Sequence, residues 1–277
     1  DLDIRVVIGN PPYSIGQGSQ NDNNQNVAYP HLDSQIEATY VARSNAALSK
    51  GLYDSYVRAI RWASNRVGSS GVIGFVTNAS FLDTGTFDGL RRCLADEFSS
   101  IYVFHLRGNG RTSGERCRRE GHPLFAAHGG RGGSLAPIAI SLLVKNPDSK
   151  ETGQIYFHDI GDYLRRDEKL AKIQALSSIA GITAAGGWQH ITPDVHGDWL
   201  RQRDESFAEH IALGDKKGGG PKLFESFSLG VVTNRDAWCF NASKGGVAAN
   251  MAQMIAFYNA EADRLDHAHP GLDKKQR

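Results

Sequence analysis

The stretch Asn10-Pro11-Pro12-Tyr13 carries chemistry in its residue types. Two successive prolines fix φ and remove two backbone donors, and Pro11 biases Asn10 away from the α region. The turn therefore holds the Asn10 amide carbonyl and the Pro11 backbone carbonyl as two acceptors with no competing donor between them. Together they can accept both hydrogens of a planar exocyclic amine. Converging acceptors favour a pyramidal, more nucleophilic nitrogen and stabilise positive charge as it develops on attack. The electrophile suited to such an amine is a sulfonium methyl. Tyr13 adds a ring face on which a flat base can stack.

Something must position that turn. Val6-Val7-Ile8 before it is a β-branched run that predicts a strand buried on both faces, ended by Gly9. Ligands of open α/β sheets bind beyond the carboxyl ends of such strands. Residues 14–50 are rich in Asn, Gln, Ser and Gly and predict a functional loop or lid, with a short helix around Gln35 to Ser49. A helix is expected over 52–67, because Leu52, Tyr56, Ile60, Ala63 and Val67 form one stripe, with Arg58, Arg61 and Arg66 away from it. The next buried strand is Val72 to Val76, which completes a βαβ unit and brings Thr77-Asn78 beside the turn. A helix over 86–98, with Phe87, Leu90, Leu94 and Phe98 facing the core, leads to a strand over 101–106. Pro137 to Val144 is a further strand, with Gln154 to His158 as its expected partner across the turn at Asn146-Pro147-Asp148. Asp162 to Leu176 predicts an amphipathic helix with Leu164, Leu170, Ile173 and Leu176 apolar, and Met251 to Leu265 a final one. Sustained alternation of helix and strand gives an α/β class with a mainly parallel sheet.

The motif and its setting resemble a known family. Asn-Pro-Pro-Tyr after an apolar strand is similar to the catalytic motif of S-adenosylmethionine-dependent amino-group methyltransferases. The run Ile8 to Ser14, followed by Asn21-Asp22-Asn23-Asn24-Gln25-Asn26, resembles the methyltransferase region of single-chain Type ISP restriction–modification enzymes. Leu229 to Asn241 resembles the junction where such enzymes pass into target recognition. The resemblance implies the catalytic half of a Rossmann-like methyltransferase sheet, followed by the start of a mixed α+β recognition region. Its implied divisions are 1–160 for the catalytic half, 161–222 for a connecting region of helix and loop, and 223–277 for the start of target recognition.

In function, the resemblance implies methyl transfer from S-adenosylmethionine to the exocyclic amine of adenine in double-stranded DNA. Asn10, Pro11, Pro12 and Tyr13 are then catalytic. Tyr13 and Phe125 stack on the flipped base, and Asn10 also touches the cofactor. The fold's Gly-rich cofactor motif is not in this sequence, so most of that pocket is expected upstream, as are nuclease and helicase domains of the same polypeptide. The chain begins on a core strand at Asp1, so a fragment of a longer protein is expected, inactive in isolation.

Between 107 and 134, Arg107, Arg111, Arg116, Arg118, Arg119 and Arg131 oppose only Glu115 and Glu120 among recurrent glycines. A flexible arginine loop at the mouth of a site suits phosphate contacts. Two other readings use the same residues. A protein glutamine amide is also a planar amide nitrogen, and an inactive DNA-binding remnant needs the arginines alone.

Composition sets outer bounds. The 277 residues carry 31 Lys plus Arg against 30 Asp plus Glu, so the distribution of charge, rather than its sum, must decide about nucleic acid. Cys93, Cys117 and Cys239 have no metal-ligand spacing and read as reduced cytoplasmic thiols. No apolar run reaches the length of a membrane span, and no signal peptide is visible.

Overall fold

The computed structural model describes residues 3–12, 29–46, 49–126, 133–204, 206, 209–214, 219–228, 230, 233 and 235–268. Tyr13, Arg131 and the run 21–26 lie outside the described residues. The chain divides into two compact units, Asp1–Asp204 and Glu205–Arg277.

The first unit is built on a six-stranded sheet. Its strands are β1 (Val6–Gly9), β2 (Gly71–Asn78), β3 (Ser100–Arg107), β4 (Ile138–Lys145), β5 (Gln154–Asp159) and β6 (Gln189–Ile191), in the order β1-β2-β4-β3-β5-β6. β1 runs parallel to β2, and β3 parallel to β5, whereas β4 is antiparallel to both β2 and β3 and β6 is antiparallel to β5. The fold is α/β as expected, but the sheet is mixed. Gln154 to His158 also has a different partner from the one expected. Past the turn at 146–148 the chain does not fold back on β4. The Gly153 N–H donates to the Phe98 carbonyl and the Gln154 N–H to the Ser99 carbonyl, which feeds β5 in alongside β3. Gly153 has φ of 68°, and a Cβ there would lie 2.8 Å from the Ala95 carbonyl oxygen, so only glycine fits this entry.

Alternation along each strand places side chains on two faces. One face, with Ile73, Phe75, Ile101, Val103, Ala139, Leu143, Ile155 and Phe157, is covered by α1 (Pro30–Ile36), α2 (Ser55–Arg66) and α3 (Asp88–Glu97). The stripes expected on α2 and α3 are all buried in this layer. Leu90, Leu94 and Phe98 are fully enclosed, each stabilising the fold by about 1.5–3 kcal/mol. Arg61 corrects the expected stripe. It is buried, its guanidinium holding Glu97 of α3 with two hydrogen bonds (2.5 and 3.0 Å) and lying over the Tyr40 ring. The segment expected as a loop or lid is, from residue 30, largely helical: α1 continues into a π-helical turn over Glu37–Val41, and Ile36 and Tyr40 enter the core.

The opposite face, with Phe104, Leu106 and Ile138, is covered by α5 (Arg166–Leu176) and α6 (Ile179–Ala184) through Ile173, Leu176 and Ile182. Leu170 does not join them and is exposed, while the neighbouring Lys169 is buried. The residues between β3 and β4 also differ from a pure loop, since Gly114–Glu120 forms a helix, α4.

β1 departs most from expectation. It is an edge strand with Val7 toward the core and Val6 and Ile8 outward, Ile8 being 82% exposed. Among the described residues only β2 pairs with it, and no helix covers its outer face, so an apolar run on both faces here does not mean burial on both.

In the second unit, Ala212 pairs with Lys222 in a short bridge. α7 (Asp236–Cys239) packs on α8 (Lys244–Ala268), with Cys239 Sγ 3.8 Å from Met251 Sδ. The final helix is longer at both ends than its apolar register predicted, and none of its residues is buried. Among the described residues no helix is long and apolar enough to cross a membrane.

Candidate functional site

The carboxyl ends of β1, β2, β3 and β5 all lie at one edge of the sheet, and the segment leading into β4 comes up between them. Gly9 pairs with Phe75, so Asn10-Pro11-Pro12 leaves β1 alongside the end of β2, as the βαβ reading placed it. Asn78 is committed to local structure there: its side-chain oxygen accepts from the Ser80 N–H and hydroxyl.

Asn10, Pro11 and Pro12 line a cavity of about 520 Å³ together with Arg111, Gly133, Ser134 and Leu135. The Asn10 side chain is exposed and makes no hydrogen bond among the described residues, so its carbonyl is free to accept one. Phe125 is not on this wall. Its carbonyl accepts from the Ser134 N–H at 3.0 Å and Ala126 bridges to Gly133, which brings it one residue from the lining. Phe125 is 39% exposed.

The arginines of 107–119 fall into distinct settings. Arg107 ends β3 and is bound inward, with Nε on Asp159 at 2.6 Å and Nη1 on Asp162. Its side chain is 20% exposed. Arg118 pairs with Glu115 at 2.9 Å on the surface of α4, and Arg119 lies 3.7 Å from Asp162. Arg111 and Arg116 have no ion pair among the described residues. Arg111 faces the Asn10 cavity, and Arg116 lines a second cavity one strand away.

Three groups that the sequence reading passed over build this edge. His105 lies two residues before the end of β3 and Asp159 ends β5, with His105 Nδ1 3.6 Å from an Asp159 oxygen. Burial alone would raise the Asp159 carboxyl. The bonds from His105, Arg107 and the Gly161 N–H outweigh it and hold the group well below the usual carboxylate range. Lys169 reaches from α5 to the far end of α4, its Nζ donating to the Glu120 and His122 carbonyls at 3.0 Å each. Gly121 closes the same junction: with φ of 70°, a Cβ there would sit 2.2 Å from the Leu164 carbonyl. Position at strand carboxyl ends was the available signal for His105 and Asp159. Nothing in the pattern marked Lys169.

Lys169 supports a pH prediction. Burial lowers its ammonium to about 8, against a partial opposing pull from Glu120. The unfolded chain holds that proton up to the ordinary lysine value of about 10.4. Between these values the unfolded state binds more protons, so stability through this group rises with pH and is lost as pH falls through 8. Urea unfolding at pH 7.5 and pH 10 is expected to show this gain in wild type and to lose it in Lys169→Met. Parallel pH dependence in the two proteins would mean that the ammonium is hydrated.

These features define an α/β protein with an open mixed sheet and a cleft beyond its strand ends. Residues 222–277 match the family described as the Type ISP C-terminal specificity domain. Among solved structures, a nuclease-deletion mutant of the Type ISP restriction–modification enzyme LlaGI, in complex with a DNA substrate mimic, is 45% identical (TM-score 0.85) over 99% of this chain and 25% of that one. The ATP-dependent Type ISP enzyme LlaBIII bound to DNA is 38% identical (TM-score 0.83), over 93% of this chain and 16% of its own. The DrdV–DNA complex is 37% identical (TM-score 0.80), over 93% and 25%. Comparison with curated proteins gave no match. The chain belongs to the Type ISP restriction–modification enzymes and spans a quarter or less of the length of these relatives.

Proposed function

We propose that this chain supplies the catalytic half of a site-specific DNA methyltransferase within a restriction–modification enzyme. The methyl group passes from S-adenosylmethionine to the exocyclic amine of adenine. The observation that carries this reading is the cavity at the end of β1, where the unpartnered Asn10 carbonyl and the proline turn face Arg111 across the opening. A planar amine entering there meets acceptors, and the strand it belongs to meets a cation. A base inside a duplex cannot reach the turn, so the target nucleotide is flipped out, at a cost of a few kcal/mol of unstacking.

S-adenosylmethionine, when bound, supplies an electrophilic methyl. Asn10 is the residue of this chain that fits beside it, because its amide is exposed and has no other partner among the described residues. Asn10 and Pro11 hold the amine, Pro12 stiffens the turn, and Tyr13 and Phe125 are the stacking candidates. Arg111 and Arg116 lead the phosphate contacts, since Arg107, Arg118 and Arg119 lie against carboxylates of their own.

The test uses the full-length polypeptide as encoded. It is incubated with labelled S-adenosylmethionine and DNA, and the DNA is digested to nucleosides. Label in adenine methylated on its exocyclic amine is expected. Label in protein glutamine instead, or none, overturns the reading.

A further inference from the structure

A second cavity, of about 130 Å³, opens beside the first at the ends of β2 and β3. Arg116, Asn109, His105, Glu120, Arg201 and Asp83 supply its polar wall. The two cavities share their dividing elements. Ser134 and Leu135 line the first and Pro137 the second, along one continuous segment. The Gly110 N–H donates to the Leu135 carbonyl at 3.0 Å, fixing the loop after β3 against that segment. On this loop Arg111 goes to the first cavity, and Asn109, two residues earlier, to the second.

The charges of the second cavity resolve into one unbalanced cation. Asp83 is paired with Arg201 at 3.0 Å. Glu120 has Lys169 as an electrostatic partner, and its side chain accepts from the Asn109 N–H. His105 is held through Nδ1 by Asp159. Arg116 alone keeps a guanidinium with no ion pair or hydrogen bond among the described residues. The Asn109 side-chain oxygen is occupied by the Arg111 N–H, which leaves its amide N–H groups as further donors. Backbone strain frames the same place. Arg201, which lines the cavity, and Arg107, two residues before Asn109, are two of the four non-glycine residues with positive φ among the described residues, at 51° and 54°. Such conformations persist where the surroundings over-determine them, and they cluster at functional sites.

We propose that this small polar cavity is a phosphate subsite for the strand that carries the target base, with Arg116 as its charged ligand. The proposal rests on the DNA reading above and adds to it a fixed register: base at the Asn10 turn, a backbone phosphate one segment away. A phosphodiester oxygen satisfies both free donors, Arg116 and the Asn109 amide. A neutral base edge would leave the guanidinium's charge uncompensated. Arg116 is a surface residue of α4, so its truncation leaves the core intact.

The experiment measures binding of the full-length polypeptide to a short duplex as salt is varied, for wild type, Arg116→Ala and Arg118→Ala. It is paired with phenylglyoxal modification of arginines read by mass spectrometry. Losing one phosphate contact lowers the slope of log K against log salt by about 0.9. That drop is expected for Arg116→Ala and not for Arg118→Ala. The phosphodiester duplex is expected to protect Arg116 from modification, and the same duplex made with uncharged methylphosphonate linkages is not. An unchanged slope in Arg116→Ala, or equal protection by both duplexes, overturns the subsite while the DNA reading stands. Absence of binding to the phosphodiester duplex overturns both.

Discussion

Asn10→Ala is expected to lower methyl transfer to DNA by on the order of 10²–10³-fold, the cost seen when one preorganised group aimed at developing charge is removed. DNA affinity is expected to survive, because the phosphate contacts assigned to Arg111 and Arg116 lie on other elements. The two effects separate for a structural reason. Asn10 is exposed, leaves an edge strand and is not part of the buried core, so the substitution removes an acceptor without disturbing that core. Asn10→Asp keeps an acceptor oxygen in the same place and is expected to retain part of the activity. The measurement is single-turnover transfer of labelled methyl to adenine in the full-length polypeptide, with DNA affinity measured in parallel. Full turnover in Asn10→Ala would sink the role of the turn. Equal loss of binding and turnover would move Asn10 from catalysis to docking.

How much of this was legible beforehand varied with the kind of information. Stripes such as Leu52-Tyr56-Ile60 and Leu90-Leu94-Phe98 fixed which helix faces are buried, because period is a local property. The proline turn stood out as a candidate site because two prolines and an amide constrain geometry by themselves. Strand neighbours were not: β4 reads as a buried apolar run whichever way it points, and only backbone pairing shows it antiparallel between β2 and β3. The outer face of β1 misled for a related reason, since Val6 and Ile8 are apolar whether or not anything covers them.

The arginine loop shows the limit most sharply. Six arginines against two glutamates read as one basic surface. The carboxylates that engage Arg107 and Arg119, Asp159 and Asp162, come from beyond β4. Counting charge within a segment cannot find partners supplied by another strand. What remains unpaired among the described residues, Arg111 and Arg116, faces the cavities.

Asp198→Ala is expected to destabilise the first unit by about 3–5 kcal/mol, the usual cost of stripping one partner from a buried ion pair. The other partner is Arg91 of α3, which is completely enclosed. Its Nη2 donates to Asp198 at 2.5 Å, its Nε to the Gly197 carbonyl at 2.9 Å, and its Nη1 to the Phe81 and Thr84 carbonyls at 2.9 Å each. Burial pulls the Arg91 guanidinium below its ordinary value even with Asp198 present. Without that carboxylate the enclosed charge keeps hydrogen bonds to neutral carbonyls alone, with Asp88 and Asp83 acting on it only through space. Asp198→Asn preserves an acceptor and is expected to cost less. Arg203→Ala removes only the half-exposed second partner of Asp198 and is expected to cost about 1 kcal/mol or less. Replacing both members with apolar residues, Arg91→Met with Asp198→Leu, is expected to recover part of the loss, because no buried charge then remains. Urea unfolding followed by tryptophan fluorescence reads all four, since Trp199 is buried in the core one residue beyond Asp198. The pair also anchors the loop after β2 that forms one wall of the Arg116 cavity. Asp198→Ala is therefore expected to weaken the protection of Arg116 by DNA under conditions where the protein is still folded. A variant that lost stability but kept full protection would confine Arg91 and Asp198 to holding the segment at 194–203 against α3.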